Sequence, residues 1–587
     1  MSRTRQPAVS RRVFWPAAVI VALFVTFAMA FPRTAESAFD TIQSSIVTNF
    51  NWYYVLITAF FVIFCLWMGF SRYGDIKLGK DEDTPEFSLL SWFSLLFAAG
   101  MGIGLVFYGV GEPLSHLAQP KPGTTGTQVE LAQAGMAQTF LHWGVHPWAI
   151  YVVIGLALAY AIHRRGRPIS IRWALEPLLG RQVRGRWGDL IDIVALVGTL
   201  FGVATSLGLG VLQISAGLEA AGYLTASTTV SVVLIIIITA VVLFSVVSGV
   251  GRGMKWLSNF NLMLATALLV LVLVMGPTQF LLRGFVENVG NYLQGFVGLT
   301  FDVSAFQGAA GEMWQATWTT FYWGWWISWA PFVGIFIARI SRGRTVRQFV
   351  VGVLLVPTLM TFLWFSVIGG MALYSELFGQ GGLVGAGGVV DIEGALFLLL
   401  EQLPGGTALT IGAILLIGIF FVTSADSGAL VMGIIATGGQ VEPKTWIRVT
   451  FACFTSLLAI ALLLAGGLNA LKTAAIIIAL PFSVVMLLMC WSTVLAFSRE
   501  DRAYERARRA TFRDHIGDYY GLEVEAPVER QDGSPLEDIL GIHRRHGDHP
   551  HPRPHHRPPG LGTGISHGRR KPPTGPTDDD PGGSGGS

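Results

Sequence analysis

Residues Ala98–Pro113 read AAGMGIGLVFYGVGEP. Gly100, Gly102 and Gly104 alternate inside an apolar run long enough to cross a membrane. Each glycine costs about 1 kcal/mol relative to alanine within a helix, and each lets the backbone leave helical geometry without a Cβ clash. Two readings follow. Gly100 and Gly104 form a small-xxx-small pair suited to close helix packing. Alternatively the helix unwinds here, and its freed carbonyls coordinate a cation near the bilayer midplane. The spacing is no dinucleotide fingerprint, because no strand precedes it. The residues alone leave both readings open, and the choice decides whether the fold is a plain bundle or one built around an interrupted helix.

The surroundings are those of a membrane protein. Of 587 residues, 52% are hydrophobic and 13% charged, against about 25% charged in a soluble domain; the mean hydropathy is +0.55. Apolar runs recur near 14–31, 51–70, 87–110, 135–162, 189–217, 225–248, 258–282, 310–338, 346–371, 405–436, 446–466 and 471–498. These predict an all-α polytopic protein with twelve transmembrane helices within 14–498. The basic start and apolar run at the N-terminus resemble a signal peptide, but no small-x-small cleavage site precedes Pro32, so a retained first span is expected. Cys65, Cys453 and Cys490 each lie in an apolar run without paired spacing, as core thiols do.

Positive charges test the count. Arg3, Arg5, Arg11 and Arg12 precede the first run, and Arg72, Lys77 and Lys80 follow the second. The loop after the fourth carries seven arginines between Arg164 and Arg186; Arg252 and Lys255 follow the sixth, and Arg339, Arg342, Arg344 and Arg347 the eighth. Lys444 and Arg448 follow the tenth, and Arg499 and Arg502 the last. The alternate loops hold at most one basic residue each. The positive-inside rule then places both termini in the cytoplasm of a cell (inner, plasma) membrane protein, with residues 1–13 as a cytoplasmic tail. Residues 283–303 suit an amphipathic helix at the outer interface. Residues 499–524 suit a charged cytoplasmic helix, in which Arg502, Arg506 and Arg509 recur at helical spacing. Residues 525–587, rich in Pro, His, Gly and Asp, suit a disordered tail.

Three further runs carry chemistry. Ile419–Gly433, IFFVTSADSGALVMG, places Thr423, Ser424, Asp426 and Ser427 within one span. Hydroxyls in a helix often bond back to it, but an intramembrane Asp is a functional hypothesis by default, and adjacent hydroxyls are hard oxygen ligands. Phe140–Val153, FLHWGVHPWAIYVV, sets His142 and His146 four apart. That spacing serves zinc, but the glutamate a metalloprotease places after its first histidine is Trp143 here, so a structural pair is expected. On an ideal helix Trp143, Tyr151 and Trp148 sit at roughly 0°, 80° and 140°, on one face, with Pro147 between them to bend it. Thr320–Phe332, TFYWGWWISWAPF, sets Trp325, Trp329 and Trp326 at roughly 0°, 40° and 100°, again one face, and Trp323 on another. One strip is ordinary aromatic packing. Two strips make a box of π faces for a quaternary ammonium ion, at roughly 0.5–2 kcal/mol per contact.

AAGMGIGLVFYGVGEPLSH, HWGVHPWAIY, YWGWWISWAPFVGIFIARISRGRTVRQF and FFVTSADSGALVMG together resemble the betaine/choline/carnitine transporter family, over about residues 10–500. The resemblance implies a LeuT-like fold, two leading helices and then two inverted repeats of five (about 87–248 and 310–466), often trimeric. It implies a secondary symporter that imports a compatible solute under osmotic stress, glycine betaine above all, driven by sodium. The alternatives are choline, ectoine or another zwitterion, or proton coupling. The matching solute box is Trp143, Trp148, Tyr151 and Trp326, with Trp325 and Trp329 beside it. The matching main sodium site uses carbonyls of Ala98, Met101 and Phe420 and the hydroxyls of Thr423 and Ser424. Of a second sodium site, Thr199 matches and Phe332 is a candidate lining residue, but Val203 replaces the family's second threonine. Gly104 stands where choline-selective members tend to carry Asp. A membrane enzyme using His142, His146 and Asp426 is the reading from another class, and no nucleophile–base pair supports it. Nothing points to nucleic acid.

Overall fold

The computed structural model describes residues 9–100, 102–248 and 251–520, with the backbone alone at 97–100, 251–255, 514 and 516–520. Met101, most of the N-terminal tail and the tail from 525 lie outside the described residues. The chain divides into two compact units, Met1–Ala510 and Thr511–Ser587; of the second, only 511–520 are described, and they are helical.

The first unit is all helix. In chain order it runs α1 Arg11–Ala30, α2 Pro32–Phe70, α3 Leu89–Gly100, α4 Ile103–Ala118, α5 Gln128–Trp143, α6 Val145–Ala159 and the short α7 Glu176–Leu179. It continues with α8 Arg186–Ala220, α9 Thr228–Ser248, α10 Gly251–Met275, α11 Thr278–Phe301, α12 Gly308–Thr317 and α13 Thr319–Arg339. Then come α14 Val346–Trp364, α15 Gly370–Phe378, α16 Ala395–Glu401, α17 Gly406–Ala436, α18 Thr445–Leu464 and α19 Gly467–Tyr520, whose residues from 511 belong to the second unit. Among the described residues the only strand-like pairing is an isolated bridge between Lys77 and Thr345.

Among the described residues, eleven helical segments are long and apolar enough to cross a membrane by length and composition. The run at 87–110 is absent from that number because it is not one helix: α3 stops at Gly100 and α4 starts at Ile103, with Gly102 fully extended (φ −157°, ψ −179°). Of the two readings of the glycine run, the interrupted helix is the one observed. A second interruption was not expected: α5 and α6 are separated at Gly144 (φ −94°, ψ −126°). A side chain at Gly144 would put a Cβ 2.5 Å from the carbonyl oxygen of Phe140 and 2.7 Å from the ring of Phe362. Pro147 falls in the first turn of α6, where its missing N–H costs nothing.

Burial sorts the helices. Every residue from His146 to Ala159 in α6 is buried, and α8 and α13 are nearly so, as expected for helices that are apolar all round. α9 is just as apolar, yet only four of its residues are buried, and its exposed face is the surface lipid would cover. α6, which carries Trp148 and Tyr151, and α13, which carries Trp325, Trp326 and Trp329, make the most extensive helix–helix contact among the described residues. The charged segment from Arg499 continues α19 directly. It is tied back by Glu500 to Arg164, by the Tyr504 hydroxyl to Asp81, and by Asp501 to Arg72 at 3.3 Å.

Candidate solute and ion site

A helix that stops leaves its last carbonyls without helical partners. The break at Gly144 frees those of His142 and Trp143, and each is claimed by a side chain at the centre of the bundle. The indole Nε1–H of Trp326 donates to the His142 carbonyl at 2.9 Å, and the Thr361 hydroxyl to that of Trp143 at 3.0 Å. On α13, Trp325 Nε1–H donates to the Ser206 hydroxyl at 3.0 Å, and Trp329 Nε1–H to the Gly202 carbonyl at 2.8 Å. Three indoles are thus clamped at their polar edges, which leaves their faces to be used.

Those faces converge. Trp143 and Trp326 meet edge to face with centroids 4.9 Å apart, Trp148 and Tyr151 at 5.4 Å, and Tyr151 and Trp326 at 6.4 Å. Trp325 lies stacked on Trp326 at 4.7 Å. All five, with Trp329 and Phe332, line one cavity of about 680 Å³. The ideal-helix reading of Trp143 with Trp148 and Tyr151 is corrected in its cause: they sit on different helices, and the break at Gly144 brings them together. Gly104 forms part of the wall; a Cβ there would stand 2.6 Å from Trp325 and 2.8 Å from Trp143.

The same cavity is lined by Phe420, Thr423 and Ser424. The Thr423 hydroxyl donates to the carbonyls of Ile419 and Phe420, at 2.9 and 3.2 Å. Ala98 lies in the last turn of α3, whose carbonyls lack helical partners because the helix ends at Gly100. Hydroxyl and carbonyl oxygens are the donors a hard cation takes, so these residues fit sodium; Met101 lies outside the described residues. Thr199 stands apart: it is fully buried, bonds back to the Ala195 carbonyl at 2.8 Å, and does not line the cavity that Phe332 lines.

Four acidic or basic groups take places the sequence did not disclose. Asp426 is no free intramembrane acid, because Arg448 pairs with it at 3.0 Å. Arg448, assigned to a loop, belongs to α18. Lys472 is buried in α19 with its ammonium 5.1–5.8 Å from the ring centroids of Phe321, Trp318 and Tyr108. Glu112, singled out by no motif, is completely buried at the end of four donors. It receives Trp143 Nε1–H at 2.7 Å, the Tyr322 hydroxyl at 2.5 Å, His142 Nδ1 at 2.6 Å and His116 Nε2 at 3.4 Å. Glu112, His116 and His142 are close enough to suggest a metal, with ligand atoms within 4.8 Å of one another, but mutual hydrogen bonding already accounts for that convergence. His146 turns elsewhere, to the Thr300 hydroxyl at 3.0 Å, so the 142/146 spacing builds no two-histidine site. Trp323 packs on His146, centroids 5.5 Å apart.

The cavity is one-sided. From the tryptophans it runs past Phe336 to Glu86 and Arg339, and Glu86 is the one acidic residue among its lining. In the other direction Tyr108, Phe321 and Tyr322 lie against the pocket tryptophans, with neighbouring centroids 5.4–6.1 Å apart.

Comparison with known proteins agrees in one direction. The family model described as betaine/carnitine/choline family transporter matches residues 12–502. An uncharacterised transporter of Mycobacterium tuberculosis is 48% identical over 520 residues, 88% of this chain and 86% of its own. The glycine betaine transporter OpuD of Bacillus subtilis is 43% identical, over 85% and 96%. The osmo-dependent choline transporter BetT2 of Acinetobacter baylyi is 39% identical, over 84% and 72%.

Proposed function

The chain belongs to the betaine/carnitine/choline family of transporters, multi-pass membrane proteins and not enzymes, and from that premise we propose that it imports glycine betaine together with sodium. The observation that carries the reading is the convergence of Trp143, Trp148, Tyr151 and Trp326 in one cavity with Thr423 and Ser424. The aromatic faces hold the trimethylammonium group, which has no N–H to donate, at roughly 0.5–2 kcal/mol per ring. The clamped indoles are preorganised, so little side-chain freedom is lost on binding. The hydroxyls of Thr423 and Ser424, with carbonyls of Ala98, Met101 and Phe420, take sodium as co-substrate; each charge moving inward gains about 2.3 kcal/mol per 100 mV.

The interrupted run at 87–110 counts as the twelfth span in this reading, and the LeuT-like repeats cover about 87–248 and 310–466. Both termini are cytoplasmic by the distribution of basic residues, in the plasma membrane. Glu86 and Arg339 then mark the cytoplasmic mouth of the cavity, and the conformation is inward-facing, closed on the other side by Tyr108, Phe321 and Tyr322. The protein works as a homotrimer in the response to osmotic stress.

Choline is the second reading, supported by the likeness to a choline transporter and by a buried carboxylate, Glu112, one hydrogen bond behind Trp143. Betaine is favoured because no carboxylate lines the aromatic box itself. Proteoliposomes given labelled solute on the outside decide between them. Betaine uptake should require an inward sodium gradient and outcompete choline, and Thr423→Val should raise the sodium concentration for half-maximal uptake several-fold. Uptake that ignores sodium sinks the coupling, and preference for choline sinks the choice of solute.

A further inference from the structure

We propose that Glu112 is a specificity-determining residue of the solute box: an anion outside the cavity that makes the Trp143 face selective for a cationic head group. The inference rests on the betaine reading above and concerns the same site.

The geometry is specific. Glu112 does not line the cavity, whereas Trp143 does. Trp143 presents its face to the cavity and its N–H edge to Glu112 Oε2, at 2.7 Å. An indole that donates to a carboxylate is polarised: electron density moves from the donor edge into the ring, and the ring face becomes more negative. A cation on that face feels both the ring quadrupole and the full charge of the carboxylate behind it, in a medium where charge is weakly screened. The box thereby gains negative potential without placing an acid against the ammonium. A carboxylate offers about four acceptor positions, and four donors occupy them: Trp143, Tyr322, His142 and His116.

The same group also positions a second wall. His142 is held by Glu112 through Nδ1 at 2.6 Å, and the His142 carbonyl receives Trp326 Nε1–H at 2.9 Å. Glu112 is thus one bond from Trp143 and, through His142, two from Trp326. A tie of this kind needs no charge, since a neutral acceptor would serve. Burying a carboxylate is costly even when it is paired, and a cation on the Trp143 face offsets that cost, as His116 and His142 do when protonated. Two lysines stand around the cluster: Lys472, its ammonium over the ring of Tyr108, which itself lies 5.4 Å from that of Tyr322, and Lys121, its ammonium 4.8 Å from the ring of Trp314 beside His116.

The test separates charge from architecture. Wild-type transporter in proteoliposomes takes up labelled glycine betaine, and 3,3-dimethylbutyrate, which replaces N⁺ by carbon at constant shape, serves as competitor. In Glu112→Gln the affinity for betaine should fall about tenfold, with little change for 3,3-dimethylbutyrate, so that the preference narrows by that factor while Vmax moves less. Equal losses for the two compounds would show a purely architectural role and overturn the proposal, as would an unchanged ratio. Tyr322→Phe is the second variant and stands on its own if Glu112→Gln does not fold. It removes one hydrogen bond from the same carboxylate but keeps its charge, so the preference for betaine should hold; a narrowed preference overturns the proposal. A wild type that takes up no betaine contradicts the proposed function instead, and that outcome is distinct from each of these.

Discussion

The indole N–H of Trp326 donates to the carbonyl oxygen of His142 at 2.9 Å, so the end of α5 fixes a side chain of α13. The bond exists because α5 stops one residue later and leaves that carbonyl unpartnered. Trp326→Phe keeps an aromatic face and loses the clamp. We expect the betaine KM to rise roughly five- to tenfold, in line with about 1 kcal/mol for a hydrogen bond. Trp326→Ala removes the face as well and should abolish saturable uptake, with an unchanged elution profile in detergent. Unchanged affinity in the alanine variant would remove Trp326 from the site.

Gly104→Ala should be far more damaging than its size suggests. Its Cβ would lie 2.6 Å from Trp325 and 2.8 Å from Trp143, and both rings are held by hydrogen bonds at their far edges. Overpacking of this kind costs about 1–3 kcal/mol. Here the strain falls on the box, so betaine affinity should drop by an order of magnitude or more. Gly102→Ala is the matched comparison, because a Cβ there meets nothing within 4 Å; uptake by that variant should stay within about threefold of wild type. Equal effects of the two would contradict the contacts described.

Asp426→Asn is expected to act on stability and not on transport affinity. Its carboxylate pairs with Arg448, whose side chain keeps 21% of its surface exposed, so the loss is smaller than for a fully buried pair, about 1–3 kcal/mol. Thermal denaturation in detergent should shift downward while the betaine and sodium affinities hold. A changed sodium affinity would return Asp426 to the ion site.

Much of this was legible in the sequence, for identifiable reasons. Trp325, Trp326 and Trp329 share a face because helical periodicity dictates it, and the glycine run around Gly102 offered an interruption as one of its two readings. What escaped was non-local. Glu112 meets His142, Trp143 and Tyr322 across 30, 31 and 210 residues of chain, and no spacing rule encodes such a meeting. A signal was there, however. Glu112 is as much an intramembrane acid as Asp426, and the rule that directed attention to the latter applied equally to the former. The break at Gly144 was hidden for a different reason: a lone glycine within a good helical pattern is usually tolerated, and only the carbonyl of Phe140 and the ring of Phe362 make it obligatory.

The three thiols also have a practical side. Cys65 donates to the Ala149 carbonyl at 3.5 Å from within α2, Cys490 is buried in α19, and Cys453 sits on α18. None of them lines the cavity. With the half-buried Cys453 replaced by Ser, a single cysteine introduced at Ser427, on the cavity wall, becomes the accessible reporter. Its alkylation by a membrane-impermeant maleimide, applied to one face of a sealed vesicle and then to the other, reads out which side the cavity opens to at each stage of the cycle.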